Sequence, residues 1–174
     1  MLAAGFLLAA VFWLATVHNH LKLTMINRLN FSQTIESECR EMEKIKQFFT
    51  QNDKFAEYVG IELLEASKGK AKAKMEIKNH HLNGVKTVHG AAIFTLADLV
   101  FAVASNSHGT IAMGINVSIS YLKAVTKGVL FAEAKEVSIN PKLATYTIHV
   151  TDSGNDLVAT FQGMVYRKKE AICV

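Results

Sequence analysis

The stretch HGAAIFTLADLVFAVASNS, His89 to Ser107, limits what this chain can become more than any other. After His89 it holds one formal charge, Asp98. A helix that is apolar nearly all round belongs in an interior. An ionised carboxylate is rarely fully buried unless something pairs with it. The sequence therefore predicts a long core helix from Gly90 to about Ser107, with an acid placed inside that core. NSHG follows, and Gly109 is the expected C-terminal breaker.

The flanks must supply what covers this helix. Cys39, Met42, Ile45 and Phe49 continue from Ile35 at three- and four-residue steps, the pattern of an amphipathic helix ending near Asn52. Cys39 on that stripe reads as a small buried hydrophobe. From Ile61 the period changes to two. Ile61 to Ala66 forms one strand, Gly69 the turn, and KGKAKAKMEIK the next strand, with Ala71, Ala73, Met75 and Ile77 on one face and a lysine row on the other. Asn83-Gly84 marks a turn before the long helix. After it come a strand with Ile115, Val117, Ile119 and Tyr121 on one face, then VLFAEAKEVSI and KLATYTIHV. The turn DSGND leads into LVATFQGMVYRK. The order is helix, two strands, long apolar helix, four strands. Short connections make the sheet mainly antiparallel, an α+β arrangement. One sheet cannot surround such a helix, so a second subunit is the expected cover.

The chain has 174 residues, half of them hydrophobic, which suits one domain with a real core. Its net charge of +4 favours anionic ligands. The lysines are scattered and no nucleic-acid motif accompanies them, so nucleic acid is not an expected partner. The two cysteines, Cys39 and Cys173, form no CxxC pair. That argues against a disulfide framework or a zinc signature, and for a reduced compartment such as the cytoplasm. The spacing of His80, His81 and His89 matches no standard metal-ligand set. MLAAGFLLAAVFWLATV, Met1 to Val17, is uncharged and apolar but lacks the basic start of a signal peptide and is slightly short for a span. It reads as a membrane anchor, a core helix, or sequence upstream of a later start such as Met25 or Met42. The expected layout is an apolar extension over residues 1–30, one domain over 31–169 and a tail over 170–174. Membrane contact is expected only through that extension.

At Asn79 to Asp98 the residues match a known pattern. NHHLNGVKTVHGAAIFTLAD closely resembles the motif of hotdog-fold acyl-CoA thioesterases of the phenylacetate-degradation type. Asn83, His89-Gly90 six residues later, and Asp98 nine residues after His89 carry the resemblance. With the strand order it extends from about Phe48 to Arg167. It implies a hotdog fold, a curved antiparallel sheet wrapped around the central helix. It also implies units that pair as homodimers, often two pairs to a tetramer, and an acyl-CoA substrate. Coenzyme A is then part of the substrate, and no separate cofactor or metal is implied.

The residues also read from their own chemistry. Gly90 opens a helix, so its N–H lacks an intrahelical partner, and the helix dipole favours a developing oxyanion there. Its missing side chain either admits a thioester carbonyl or merely permits a tight entry turn. Asp98 is expected as the general base that activates water, or as the nucleophile. Apolar surroundings raise a carboxyl pKa, which suits a base. The alternative is an acid that pairs with a lysine or helix terminus across an interface. Asn83 holds the thioester or the water, or serves the turn, or does both. His89 polarises the carbonyl region or bonds the loop. Relatives often read His-Gly-Gly; here Ala91 replaces the second glycine, which is expected to leave the residue 91 N–H available. Where relatives carry a serine or threonine after the helix, this chain has Gly114, with Asn116 the nearby candidate. Lys142, then Lys123, are candidates for the coenzyme A phosphates, or ordinary surface lysines. Phe94, Leu96 and Phe101 are candidate walls for the acyl group.

Gly90 and Asp98 are eight residues apart on one helix. That is about 12 Å of rise and roughly 80° of rotation, too far for one aspartate to span. Each site is therefore expected to combine Asn83, His89 and Gly90 of one chain with Asp98 of its partner. Two other functions fit a hotdog chain. A dehydratase or hydratase is one, although its His-Phe-Pro-Gly-like signature is absent. A non-enzymatic acyl-CoA-binding module is the other. Every motif and strand lies after Phe31, so removing residues 1–30 should leave a soluble, active protein. Aggregation or inactivity of the truncated chain would assign the apolar segment to the fold.

Overall fold

The computed structural model describes residues 33, 36, 37 and 39–172. The expectations for the 1–30 extension, Ile35 and the last two residues of the tail lie outside them. Residues 41–172 belong to one compact unit, which holds every element of the fold described below. Among the described residues no helix is long and apolar enough to cross a membrane.

Helix α1, residues 41–52, turns Ile45 fully inward, with Phe49 packed against the core. Cys39, on the helical stretch that leads into it, is exposed, so it is not the buried hydrophobe its spacing predicted. Lys54–Val59 forms a second helix, α2. Its N-cap is Asp53, whose carboxylate accepts the Ala56 N–H at 2.9 Å, and Gly60 ends it in the left-handed region at φ 76°.

Six strands follow around one long helix. They are β1 (Ile61–Ser67), β2 (Lys70–Glu76), β3 (Thr110–Tyr121), β4 (Val129–Ile139), β5 (Leu143–Asp152) and β6 (Leu157–Ala171), with α3 (Gly90–Asn106) between β2 and β3. Every pairing is antiparallel, in the order β1-β2-β4-β5-β6-β3. Strand β3 is therefore an edge.

Alternation turns small residues toward the helix on one side of the sheet and large ones on the other. Ala71, Ala73, Ala132 and Ala134 are buried on β2 and β4, the strands α3 packs on most closely. Tyr146, Ile148, Phe161 and Val165 fill the wider space over β5 and β6. Phe101 of α3 stacks between Tyr146 and Phe161, with ring centroids 5.7 and 5.5 Å away. Leu96, expected as a wall of the acyl site, is fully buried against the sheet instead.

Two buried polar groups fix the ends of the helix. At its C-terminal end, Asn106 Oδ1 accepts the Ala112 N–H at 2.9 Å, and its Nδ2 donates to the Ala102 and Ala112 carbonyls. This ties the end of α3 to the start of β3. Before the N-terminal end, His81 is 3 % exposed; its Nδ1 accepts the Lys78 N–H and its Nε2–H donates to the Val59 carbonyl at 2.8 Å. Burial pulls its pKa below the ordinary histidine value, as befits a neutral ring.

Phe101 depends on a missing side chain. A Cβ on Gly163 would lie 2.6 Å from the Phe101 ring. Gly163→Ala should therefore destabilise the protein by about 1–3 kcal/mol through overpacking, although Gly→Ala in an unstrained position tends to stabilise. Urea denaturation measures this. Gly84→Ala, with nothing within 4 Å of the new methyl, is the control and should stay within about 0.5 kcal/mol.

Candidate active site

The loop that delivers the chain to α3 is held by one side chain. Asn83 Oδ1 accepts the N–H groups of Val85 at 3.0 Å and Thr87 at 3.1 Å, and Nδ2 donates to Thr87 Oγ1 at 2.8 Å. The backbone closes behind it, Asn83 N–H to the Thr87 carbonyl and Lys86 N–H to the Asn83 carbonyl, with Leu82 bridging Val88. Lys86 takes φ 66° within this turn. The turn role of Asn83 is thus present, and its second amide N–H has no partner among the described residues.

His89 caps α3. Its Nδ1 accepts the Ala91 N–H at 2.9 Å, so the proton of a neutral ring sits on Nε2. This corrects one expectation: the residue 91 N–H is not available but capped by the histidine before it. Gly90 keeps a free N–H, without a hydrogen-bond partner among the described residues. The sequence had made Tyr121 only a strand-face residue. Its hydroxyl donates to the Gly90 carbonyl at 3.0 Å, a contact no local spacing reveals.

Asp98 does not lie in the chain's own core. The sheet covers the side of α3 carrying Leu96, Ala97, Leu99 and Val100. Ala91, Phe94, Thr95, Asp98 and Ala102, at three- and four-residue steps, form a stripe it leaves open or half-open. Asp98 projects into a groove of about 440 Å³ between α3 and the edge strand β3. Phe94, Phe101 and Ser105 line it from the helix, and Gly114 and Asn116 from the strand. Solvent reaches the carboxylate, but apolar walls remove much of its hydration. This desolvation raises its pKa, and the negative charge of Asp53 adds to the effect.

The predicted residues fall into three groups. Asn83, His89 and Gly90 come together at the start of α3. Asp98, Asn116, Phe94 and Phe101 share the groove, with Asn116 placed there by the bulge at Ile115. Lys142 and Lys123 stand apart from both. Lys142 is exposed on the β4–β5 turn, where Asn140 Oδ1 accepts its N–H. Lys123 Nζ is bound by Asp152 and Asp156, each at 2.6 Å. Two carboxylates around one ammonium leave the spot net negative, which argues against phosphate binding there. His81 uses both ring nitrogens in the fold, leaving neither for a metal.

The profile of the Thioesterase superfamily matches residues 85–159. A protein of Archaeoglobus fulgidus named as a putative esterase is 48% identical over 130 residues, covering 74% of this chain and 84% of that relative. The chain belongs to the thioesterase superfamily. The acyl-coenzyme A thioesterase PaaI of Escherichia coli is 31% identical over 118 residues, 67% of this chain and 84% of that one. The structure of E. coli PaaI, from the phenylacetic acid degradation operon, matches with a TM-score of 0.74 at 27% identity, over 77% of this chain and 98% of its own. This is a hotdog thioesterase of the PaaI type, and so a hydrolase acting on thioesters.

The raised pKa of Asp98 gives this thioesterase a stability signature. The folded chain holds the Asp98 proton to a higher pH than the unfolded chain, which titrates near 3.8. Between those two values the native state binds more protons, so stability falls as pH rises, and the deficit persists at neutral pH. Asp98→Asn should be more stable than wild type at pH 7 in urea denaturation, and the gap should close below pH 3.8.

Proposed function

We propose that the protein is an acyl-CoA thioesterase that works as a homodimer, each site drawing on both chains. The observation that carries this is Asp98 on the open stripe of α3, facing a groove instead of its own helix start. The name of the E. coli relative supports acyl-CoA as the substrate class. The exposed edge supports the pairing. Met113, Ile115 and Val117 of β3 are exposed apolar residues beside the groove. An uncovered apolar edge strand is a liability that a second copy removes.

Two-fold pairing puts each helix start against the other chain's Asp98. The thioester carbonyl then lies at the Gly90 N–H, where the helix dipole and a water-poor site stabilise the oxyanion. The Ala91 N–H is occupied by His89, so the backbone supplies one donor. The His89 Nε2–H is the second candidate, from the same side. Asp98 takes a proton from water as the water oxygen attacks the carbonyl carbon, or attacks that carbon itself. A carboxyl pKa raised by desolvation suits the first role. The C–O bond forms and the C–S bond breaks; in the base route the proton taken by Asp98 passes to the thiolate, and in the nucleophilic route water hydrolyses the mixed anhydride, restores the carboxylate and supplies that proton, so coenzyme A leaves as the thiol. The remaining Asn83 amide N–H orients the carbonyl or the water. The acyl group extends between Phe94 and Phe101. Lys142 is the better lysine for the phosphates, because among the described residues no carboxylate pairs with it.

A thiol-trapping dye with phenylacetyl-CoA and hexanoyl-CoA tests the reaction; binding without thiol release would reject it. Mixing two variants tests the shared site. Asp98→Asn and Asn83→Ala should each lower turnover by about 100-fold or more, the order of a lost catalytic donor or base. In a mixed dimer one site carries both lesions and the other neither. Activity should return to about half of wild type per mixed dimer, by the same counting of sites. Mixed dimers captured by two tags that remain inactive would reject the shared site.

A further inference from the structure

The first peptide of α3 is held in a way the proposed chemistry does not require by itself. Glycine there is conformationally free, yet an oxyanion donor must be aimed. Two peptide planes decide where the Gly90 N–H points. The first contains that N–H and the His89 carbonyl, which accepts from Ala92 N–H at 3.0 Å and Ile93 N–H at 3.3 Å. The second joins Gly90 to Ala91. Its N–H is tied to His89 Nδ1 at 2.9 Å. Its carbonyl accepts the Tyr121 hydroxyl at 3.0 Å.

Tyr121 also occupies the space a side chain would need. A Cβ on Gly90 would lie 3.0 Å from both Cζ and the hydroxyl oxygen of Tyr121. A side chain at position 90 would push this ring back by a few tenths of an ångström, so glycine lets the ring pack where it does. Ring and hydroxyl come from the last residue of β3, the strand that forms the far wall of the Asp98 groove. One strand thus touches both the helix start and the acid's groove.

We propose that Tyr121 is a positioning residue for the Gly90 N–H: it fixes the Gly90–Ala91 peptide, next to the one that carries this donor, so that the donor meets the thioester oxygen. The proposal rests on the thioesterase reading above. Desolvation lifts the phenol pKa above its ordinary value, so the hydroxyl stays a donor across the neutral range. Tyr121 acts through Gly90, and the chemistry stays with the backbone N–H and Asp98.

Tyr121→Phe keeps the ring and deletes the bond. With phenylacetyl-CoA and hexanoyl-CoA as probes, kcat should fall about 10-fold, less than the roughly 10²–10³ for deleting an oxyanion donor outright. KM should stay within about two-fold of wild type, and the urea midpoint should not move. A purely structural tyrosine would move the midpoint and leave kcat alone. A second comparison uses the steric contact. Gly90→Ala should lose activity because its methyl meets the ring, and adding Tyr121→Ala should cost no further activity, since the two changes damage one device. Losses that multiply in the double variant would overturn the proposal. So would a Tyr121→Phe enzyme with kcat within two-fold of wild type, or one that changes only KM. A wild-type protein that releases no thiol from either probe would instead overturn the thioesterase reading, and the positioning role with it.

Discussion

A single sheet covers one side of a helix and no more, and the rest of this molecule is shaped by that limit. The described residues form one sheet and one long helix that is apolar nearly all round. Small inward residues, Ala71, Ala73, Ala132 and Ala134, let α3 settle on β2 and β4. That settling determines which helical positions are dry. Leu96, Ala97, Leu99 and Val100 are all buried, and Asp98 sits among them in sequence but outside them in space. A carboxylate one position earlier or later would be forced into the core, where an unpaired charge is prohibitive. The phase of the helix tolerates an acid at position 98 and turns it toward the groove.

The other end of the device is a helix start that is restrained from several sides. Asn83 locks the loop, His89 caps the helix through Ala91, and Tyr121 reaches across from β3 to the Gly90 carbonyl. None of these contacts requires a ligand. On the proposed reading, the Gly90 N–H would be aimed before anything binds, the condition under which a dipole stabilises a developing charge without reorganising. The cost is one fewer backbone donor, because the His89 cap consumes the second N–H of the turn.

Most of this was legible where the signal was local. The period of two located β2, β4 and β5, and the Asn-Gly pair located the loop. The motif Asn83, His89-Gly90, Asp98 pointed to the family. What failed was long-range. Cys39 fitted a helical stripe that does not cover it, and Leu96 had the right chemistry for a wall but the wrong helical phase. The helix Lys54–Val59 went unread because Asp53 begins a new helix directly after the old one ends, and six residues carry too little periodicity to show it. Asp98 was read as a core residue because an apolar helix says it is dry somewhere without saying by what. Tyr121 against Gly90 joins residues 31 apart, which no spacing rule could pair.

The open stripe of α3 and the exposed edge of β3 lie on the two walls of one groove, so they have one remedy. On the shared-site reading, covering the apolar edge and completing the active site are the same event. A lone chain would keep both an aggregation-prone strand and half a catalytic set. Dimer stability and activity would then share their energetics: the apolar area of Met113, Ile115 and Val117 removed from water favours association, and desolvating Asp98 opposes it. The walls of its own chain already raise the acid's pKa, and a partner would desolvate it further. The interface would therefore be weaker than its apolar residues alone imply, because part of the hydrophobic gain offsets the burial of a carboxylate that works only when partly dried.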